Sequence, residues 1–142
     1  RNLIMHRRLF IKSTLVLTAV PLICYSETTR LMYAPGMVDA RLSAGETVFL
    51  DFKASWCSTC RVQEKVLISL KSENADYEKN ITFIDVDWDE FGNSDLVGRY
   101  NIPRRSTLLV LQQEEELGRI VAGTKRKQIK TLLDLALRAS QK

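Results

Sequence analysis

A strand-like run that leads into a pair of thiols constrains this chain more than any other feature. Thr47-Val48-Phe49-Leu50-Asp51-Phe52-Lys53 is β-rich and mostly apolar, as a strand covered on both faces requires. Ala54-Ser55-Trp56 follows, then Cys57-Ser58-Thr59-Cys60, and a helical pattern begins at once. Cys57 therefore falls at a helix N-terminus, where unpaired N–H groups and the helix dipole favour a thiolate over a thiol. Cys60 lies one turn further on, on the same face, within reach of a disulfide. A thiolate nucleophile with a resolving thiol beside it is the minimum apparatus for thiol–disulfide exchange. Zinc sites use the same two-residue spacing; the strand, the tryptophan and the helix around it select the redox reading.

At 142 residues the chain holds one domain's worth of sequence. Its formal charge of +4 misleads until it is located. Arg1, Arg7, Arg8 and Lys12 precede the first acid, Glu27, and from there onward 17 Lys/Arg balance 17 Asp/Glu. The body is thus neutral and carries no basic footprint for nucleic acid. Residues 1–26 read as an export signal. His6-Arg7-Arg8-Leu9-Phe10-Ile11-Lys12 is similar to the twin-arginine (Tat) signal, with His6 where Ser or Thr is usual. Ser13 to Ile23 form an apolar h-region, too short to span about 30 Å of hydrocarbon comfortably. Cys24 and Ser26 supply small residues for cleavage before Glu27, and an uncleaved signal would anchor the chain in the membrane. Cleavage would also remove His6 and Cys24, leaving Cys57 and Cys60 as the two cysteines and no histidine. Cys–His hydrolases and His-bearing zinc sites are then excluded, and two thiols alone cannot complete a four-ligand zinc site.

Residues 27–36 read as a linker into a short helix at about 37–44, stopped by Gly45. From Cys57 on, Val62, Val66, Leu67 and Leu70 follow helical spacing, with Arg61, Glu64, Lys65 and Lys71 outward. Polar residues 72–80 end that helix. Ile81–Asp87 is the next strand, and Asn93 or Ser94 caps a short helix reaching Tyr100. Ser106–Gln112 and Leu117–Ala122 form two strands joined by an acidic turn at Glu114–Glu116. A last helix, about 125–139, buries Ile129, Leu132, Leu133, Leu135 and Ala136. The order β-α-β-α-β-β-α over residues 37–142 implies an α/β domain, a mixed sheet with helices on both faces.

With those residues in that order, the chain resembles the thioredoxin superfamily over roughly residues 37–140. The block Asp51-Phe52-Lys53-Ala54-Ser55-Trp56-Cys57-Ser58-Thr59-Cys60 matches the family's active-site strand and turn. Tyr100-Asn101-Ile102 followed by Ser106-Thr107-Leu108-Leu109-Val110 resembles its second active-site loop and following strand, and Ala122-Gly123 its substrate-facing glycine. Within the superfamily, Leu42 to Phe52 and Trp56 to Cys60 look most like the periplasmic reducing domains of thiol:disulfide interchange proteins. The resemblance implies a thioredoxin-like fold and a cis-proline before the strand that faces the thiols. Here that slot holds Ser106, and the nearest proline, Pro103, stands three residues earlier. A cis bond before Ser would cost ~2.5–4 kcal/mol, so a trans bond and a rearranged loop are expected. That loop would alter the backbone edge offered to substrate and leave the thiols less shielded from metal. Making Pro103 the cis-proline instead would require an insertion of three residues.

The expected chemistry is exported thiol–disulfide exchange that reduces or isomerises protein disulfides. Cys57 attacks, Cys60 resolves, and Asp51, a carboxylate in an apolar strand with a raised pKa, takes the Cys60 proton. Trp56, Arg105, Ser106 and Gly123 are the candidate substrate-binding residues, while Arg61, Arg104 and Arg105 could lower the thiolate's pKa or steer acidic partners. No cofactor or metal is required. Protein disulfides are the expected partners, a membrane thiol reductant the electron donor, and the periplasm the location. The alternative is a soft-metal module holding Cu(I) between the same two thiols. Asp85, Asp87, Asp89 and Glu90 do not make a calcium loop, because position six would be Glu90 and position twelve Leu96. Lys125, Arg126, Lys127 and Lys130 read as the solvated face of the last helix.

Overall fold

A computed structural model describes residues 30–142. The signal expected over 1–26 and the first residues of the linker lie outside the described residues. Five strands and six helices follow in the order β1 (Leu31–Met32), α1 (Met37–Ser43), β2 (Thr47–Lys53), α2 (Ser58–Glu73), α3 (Asp76–Asn80), β3 (Ile81–Asp87), α4 (Trp88–Phe91), α5 (Asp95–Arg99), β4 (Thr107–Gln112), β5 (Glu115–Val121) and α6 (Arg126–Ser140). They form one mixed sheet, β1-β3-β2-β4-β5, in which β1, β3 and β2 pair in parallel and β4 runs antiparallel to both of its neighbours, β2 and β5.

The period of two along β2 divides the core into two layers. Val48, Leu50 and Phe52 point with Ile84, Val86, Leu109 and Leu111 toward α1 and α5, through Val38, Leu42 and Leu96. Phe49 joins Leu108, Val110 and Ile81 under α2, α3 and α6, through Leu67, Leu70, Tyr77, Ile129 and Leu133. Fully burying such a side chain stabilises the fold by about 1.5–3 kcal/mol. β2 is thus covered on both faces, as its composition requires. Its alternation sends Asp51 and Lys53 to the α2 side.

Several boundaries differ from the sequence reading, each for a physical reason. The linker contains β1, two residues that pair in parallel with Ile84 and Asp85 on the free edge of β3. The polar stretch after α2 contains α3, tied to α6 by a hydrogen bond from the Tyr77 hydroxyl to Asp134. α2 is rotated from the expected phase: Cys60, Gln63, Leu67 and Leu70 face inward, while Val62 is 46 % exposed. Lys71 is not a free outward side chain; its ammonium sits 3.6 Å above the centre of the Phe83 ring. Ser94 caps α5, accepting from the Val97 N–H. The hairpin turns at Gln113, whose φ is +55°, so β5 starts at Glu115 and carries Glu115 and Glu116 inside the strand. The β4–β5 register shifts by one residue between Val110 and Leu111, whose partners are Gly118 and Glu116. No helix among the described residues is long and apolar enough to cross a membrane.

Candidate functional site

Cys57 is the N-cap of α2 in extended geometry, and its sulfur accepts the Cys60 backbone N–H at 3.2 Å. The two cysteines form a disulfide with Cα atoms 5.3 Å apart. Both are buried, Cys57 3 % and Cys60 2 % exposed, against Ala54 and Trp88. Burial does not separate the two sulfurs; what distinguishes Cys57 is its place at the helix terminus.

Ser106 lies directly over the pair. Its peptide bond is trans, no cis bond occurs among the described residues, and its φ of +60° is in the left-handed region. The Ser106 hydroxyl oxygen is 3.1 Å from each sulfur. The expectation of a trans bond and a rearranged loop therefore holds, while the expectation of less shielded thiols does not. Proline cannot take this slot as it stands: its ring fixes φ near −65°, and the Ser106 N–H donates to the Phe52 carbonyl at 2.7 Å. Ser106 spends its own N–H and carbonyl inside the fold.

Gln63 was invisible to hydrophobic periodicity, because a polar residue took the inward position and Val62 beside it drew the expected phase off by one. It is fully buried and donates from Nε2 to the carbonyls of Ser106 at 3.1 Å and Gly123 at 2.9 Å. The Ala122 N–H also donates to the Ser106 carbonyl, at 2.8 Å. Ala122 has φ +56°, so two non-glycine residues in left-handed geometry meet across this bond. Each such conformation costs on the order of 1–2 kcal/mol and persists only where neighbours enforce it. Gly123 is required by close approach: a β-carbon there would stand 2.7 Å from Ile120 Cγ2.

Trp56 and Arg105 form the rim. The indole is 55 % exposed, donates to both carboxylate oxygens of Asp89 at 3.1 and 3.0 Å, and carries the Arg105 guanidinium 4.4 Å from its ring centre. Arg61 donates to the Ser55 carbonyl at 3.1 Å, and the Arg104 carbonyl accepts the Thr107 hydroxyl. None of the three arginines hydrogen-bonds a sulfur. Asp87 caps α4 through the Asp89 N–H, so the acidic run serves turn geometry and the tryptophan.

Asp51 lies behind the motif without a hydrogen bond to either sulfur. It is 5 % exposed, and its Oδ1 has no hydrogen-bond partner. Burial pushes its carboxyl up to about 7; Lys53 opposes that, and the charges of Asp85 and Glu64 reinforce it. Parallel register sets Asp51 beside Asp85. Lys53 Nζ lies 3.7 Å from Asp51, 3.3 Å from Asp85 and 3.2 Å from Glu64. Burial opposes the Lys53 charge, but these carboxylates outweigh it and hold the ammonium above its ordinary value. Arg30 pairs with Glu64 and keeps that carboxylate below its ordinary range. A cleft of about 610 Å³ has Asp51, Glu64, Asp85 and Arg30 on its wall. Sequence reasoning found Asp51 but not this cluster, which exists only once β2, β3 and α2 are in register.

The structure thus brings Cys57, Cys60 and Ser106 into contact, joins Gly123 to them through Gln63, stacks Trp56 with Arg105 at the rim, and sets Asp51 behind. The fold recurs in the crystal structure of Trxlp from Edwardsiella tarda EIB202, with a TM-score of 0.64 at 20% identity over 74% of this chain and 98% of that one. Thioredoxin H2-1 of Oryza sativa subsp. japonica is 30% identical over 66% of this chain and 64% of its own length. Thiol:disulfide interchange protein DsbD of a Pseudomonas species is 30% identical over 61% of this chain but only 16% of its own length. The family model described as Thioredoxin matches residues 36–135, so the chain belongs to the thioredoxin family.

Proposed function

We propose that this chain is an exported thiol–disulfide oxidoreductase that reduces or isomerises protein disulfides with its Cys57/Cys60 dithiol. The observation that carries the reading is the pair itself: a disulfide whose first sulfur caps α2 and accepts a helix N–H. Reduced, Cys57 is the thiolate at that terminus. It attacks one sulfur of a client disulfide, forms a mixed disulfide and expels the other client sulfur as a thiolate. Cys60 loses its proton and attacks the Cys57 sulfur; the internal disulfide closes and the second client sulfur leaves. Two electrons pass to the client. Asp51, with its carboxyl held at about 7, is the base for the Cys60 proton, and the cleft at its side is the route to water. Trp56, Arg105 and Gly123 form the surface that receives the client; Ser106, expected among them, is buried beneath it with its N–H and carbonyl engaged in the fold.

No cofactor enters this cycle. A membrane thiol reductant restores the dithiol, a role that the similarity to a thiol:disulfide interchange protein supports. Ser58-Thr59 offers no histidine to stabilise a thiolate strongly, which favours reduction or isomerisation over oxidation. The periplasmic destination is supported by Arg7-Arg8 and the apolar run after them. Ser106 over both sulfurs favours the exchange reading over the Cu(I) alternative. Insulin-type disulfide reduction by the full chain tests the proposal: wild type is active, Cys57→Ser is inactive, and Cys60→Ala retains client proteins as mixed disulfides. A chain that reduces nothing and binds Cu(I) tightly overturns it.

A further inference from the structure

The Ser106 hydroxyl is a chemical group in contact with both reacting atoms that the exchange cycle above does not use. The side chain is fully buried, and its oxygen lies equally close, 3.1 Å, to Cys57 and Cys60. Among the described residues those two sulfurs are its hydrogen-bond partners. The backbone beneath it is fastened at three points, through Phe52, Ala122 and Gln63. The hydroxyl can therefore rotate but cannot leave. It has one proton to donate and lone pairs to accept with.

We propose that Ser106 is a catalytic hydrogen-bond donor whose single proton turns toward whichever sulfur of the pair carries the negative charge as the disulfide opens and recloses. The proposal rests on the exchange reading of the site. In the reduced state the hydroxyl donates to the Cys57 thiolate while the Cys60 S–H donates to the same oxygen. Such charge-assisted bonds are the strong ones, more so where water is excluded. When Cys57 attacks a client R–S–S–R′, a new S–S bond forms between Cys57 and the R–S sulfur, the client's own S–S bond breaks, and the charge leaves on R′–S⁻. The Cys60 proton then passes to Asp51, and the hydroxyl turns to the new Cys60 thiolate. Cys60 attacks Cys57, R–S⁻ leaves, and the internal disulfide is restored. Ser106 gives up no proton over the cycle. Because it favours the thiolate form, it makes the dithiol more acidic and a weaker reductant than the same pair would be without it.

The charged groups on the elements around the pair include Asp51 and Lys53 on β2, Arg61 and Glu64 on α2, Asp85 on β3, Asp89 on α4, and Arg104 and Arg105 ahead of Ser106. All are kept in the test. Ser106→Ala removes the hydroxyl and leaves a β-carbon at positive φ; Ser106→Gly removes the hydroxyl and relieves that strain. Both are compared with wild type in the full chain after reduction, by thiolate absorbance against pH and by equilibration with a glutathione couple. Thermal melting establishes that each is folded. The expected result is about tenfold less Cys57 thiolate at a given pH in both variants, with a correspondingly larger disulfide fraction in the same glutathione buffer. An unchanged titration in both overturns the proposal. A shift in the alanine variant alone assigns the effect to the backbone and overturns it too. If the alanine variant does not fold, the glycine variant decides. Insulin reduction by wild type is read alongside: its absence removes the exchange reading and any part Ser106 plays in it, while the titration reports the hydroxyl–thiolate bond independently.

Discussion

At Asp51 burial and charge compete most directly. The folded carboxyl keeps its proton up to about 7, whereas the unfolded one loses it near the ordinary 3.8. Between those values the folded state binds the extra proton, so stability declines as pH rises through this window and levels off above about 7. The separation corresponds to on the order of 4 kcal/mol. Asp51→Asn keeps the shape and removes the ionisation, and Lys53 retains Glu64 and Asp85 as partners. The variant is expected to lose the slope between about pH 4 and 7 and to be more stable than wild type at pH 8 by up to that amount. Denaturant melts at a series of pH values measure both. Without a base for the Cys60 proton, its disulfide reduction at neutral pH is expected to fall on the order of 100-fold. Stability and activity then move in opposite directions, which a purely structural aspartate would not produce. Asp51 could be found in the sequence because a lone acid in an apolar strand is conspicuous. Lys53, Asp85 and Glu64 could not, because each is unremarkable until parallel register and the phase of α2 set them around one another.

α2 does two jobs with one end. Its first turn supplies the N–H that binds the Cys57 sulfur, and one turn later Gln63 clasps the loops that carry Ser106 and Gly123. Both sulfurs are buried, and the helix terminus favours the anion on Cys57, whereas Cys60 lies within the first turn. Cys57 is therefore expected to titrate below the ordinary thiol value of about 8.5 and Cys60 above it. Thiolate absorbance on each single Cys→Ser variant measures this, and equal values would remove the nucleophile assignment. α6 shows the reverse arrangement, with no acid in its first turn and Arg126 and Lys127 there instead. Arg126 is answered by Glu73 at 2.5 Å, while Lys127 is exposed. Lys127→Glu is expected to stabilise the protein by about 0.3–1 kcal/mol, seen as a small rise in melting temperature at low salt. The longer elements were legible in the sequence because their apolar period is long and regular. β1 and α3 were not: two and five residues are too short to show a period, and each forms only because a neighbour, β3 or α6, offers it a partner.

Seen whole, the molecule does not depend on its disulfide for its fold. The bridge spans a sequence separation of 3, so closing it removes little entropy from the unfolded chain, about 2 kcal/mol, beside two full core layers. The reduced protein is expected to stay folded and to melt no more than about 10 °C lower, as circular dichroism in excess dithiol would show. The proposed exchange cycle, which passes through both states, requires this indifference. The margins of the sheet behave differently from its centre. On one side β1 is two residues long. On the other, β5 bears Glu115, Glu116 and Arg119 and is offset by a bulge. Short, charged and kinked edges present a poor template for the strand of another molecule. Replacing Glu115 and Glu116 together with valine is expected to produce concentration-dependent association visible by light scattering, with the monomeric fold unchanged. A protein that exchanges disulfides with client chains, the function proposed above, would handle their extended backbone. Its guarded edges let it touch such chains through sulfur without recruiting them into aggregates.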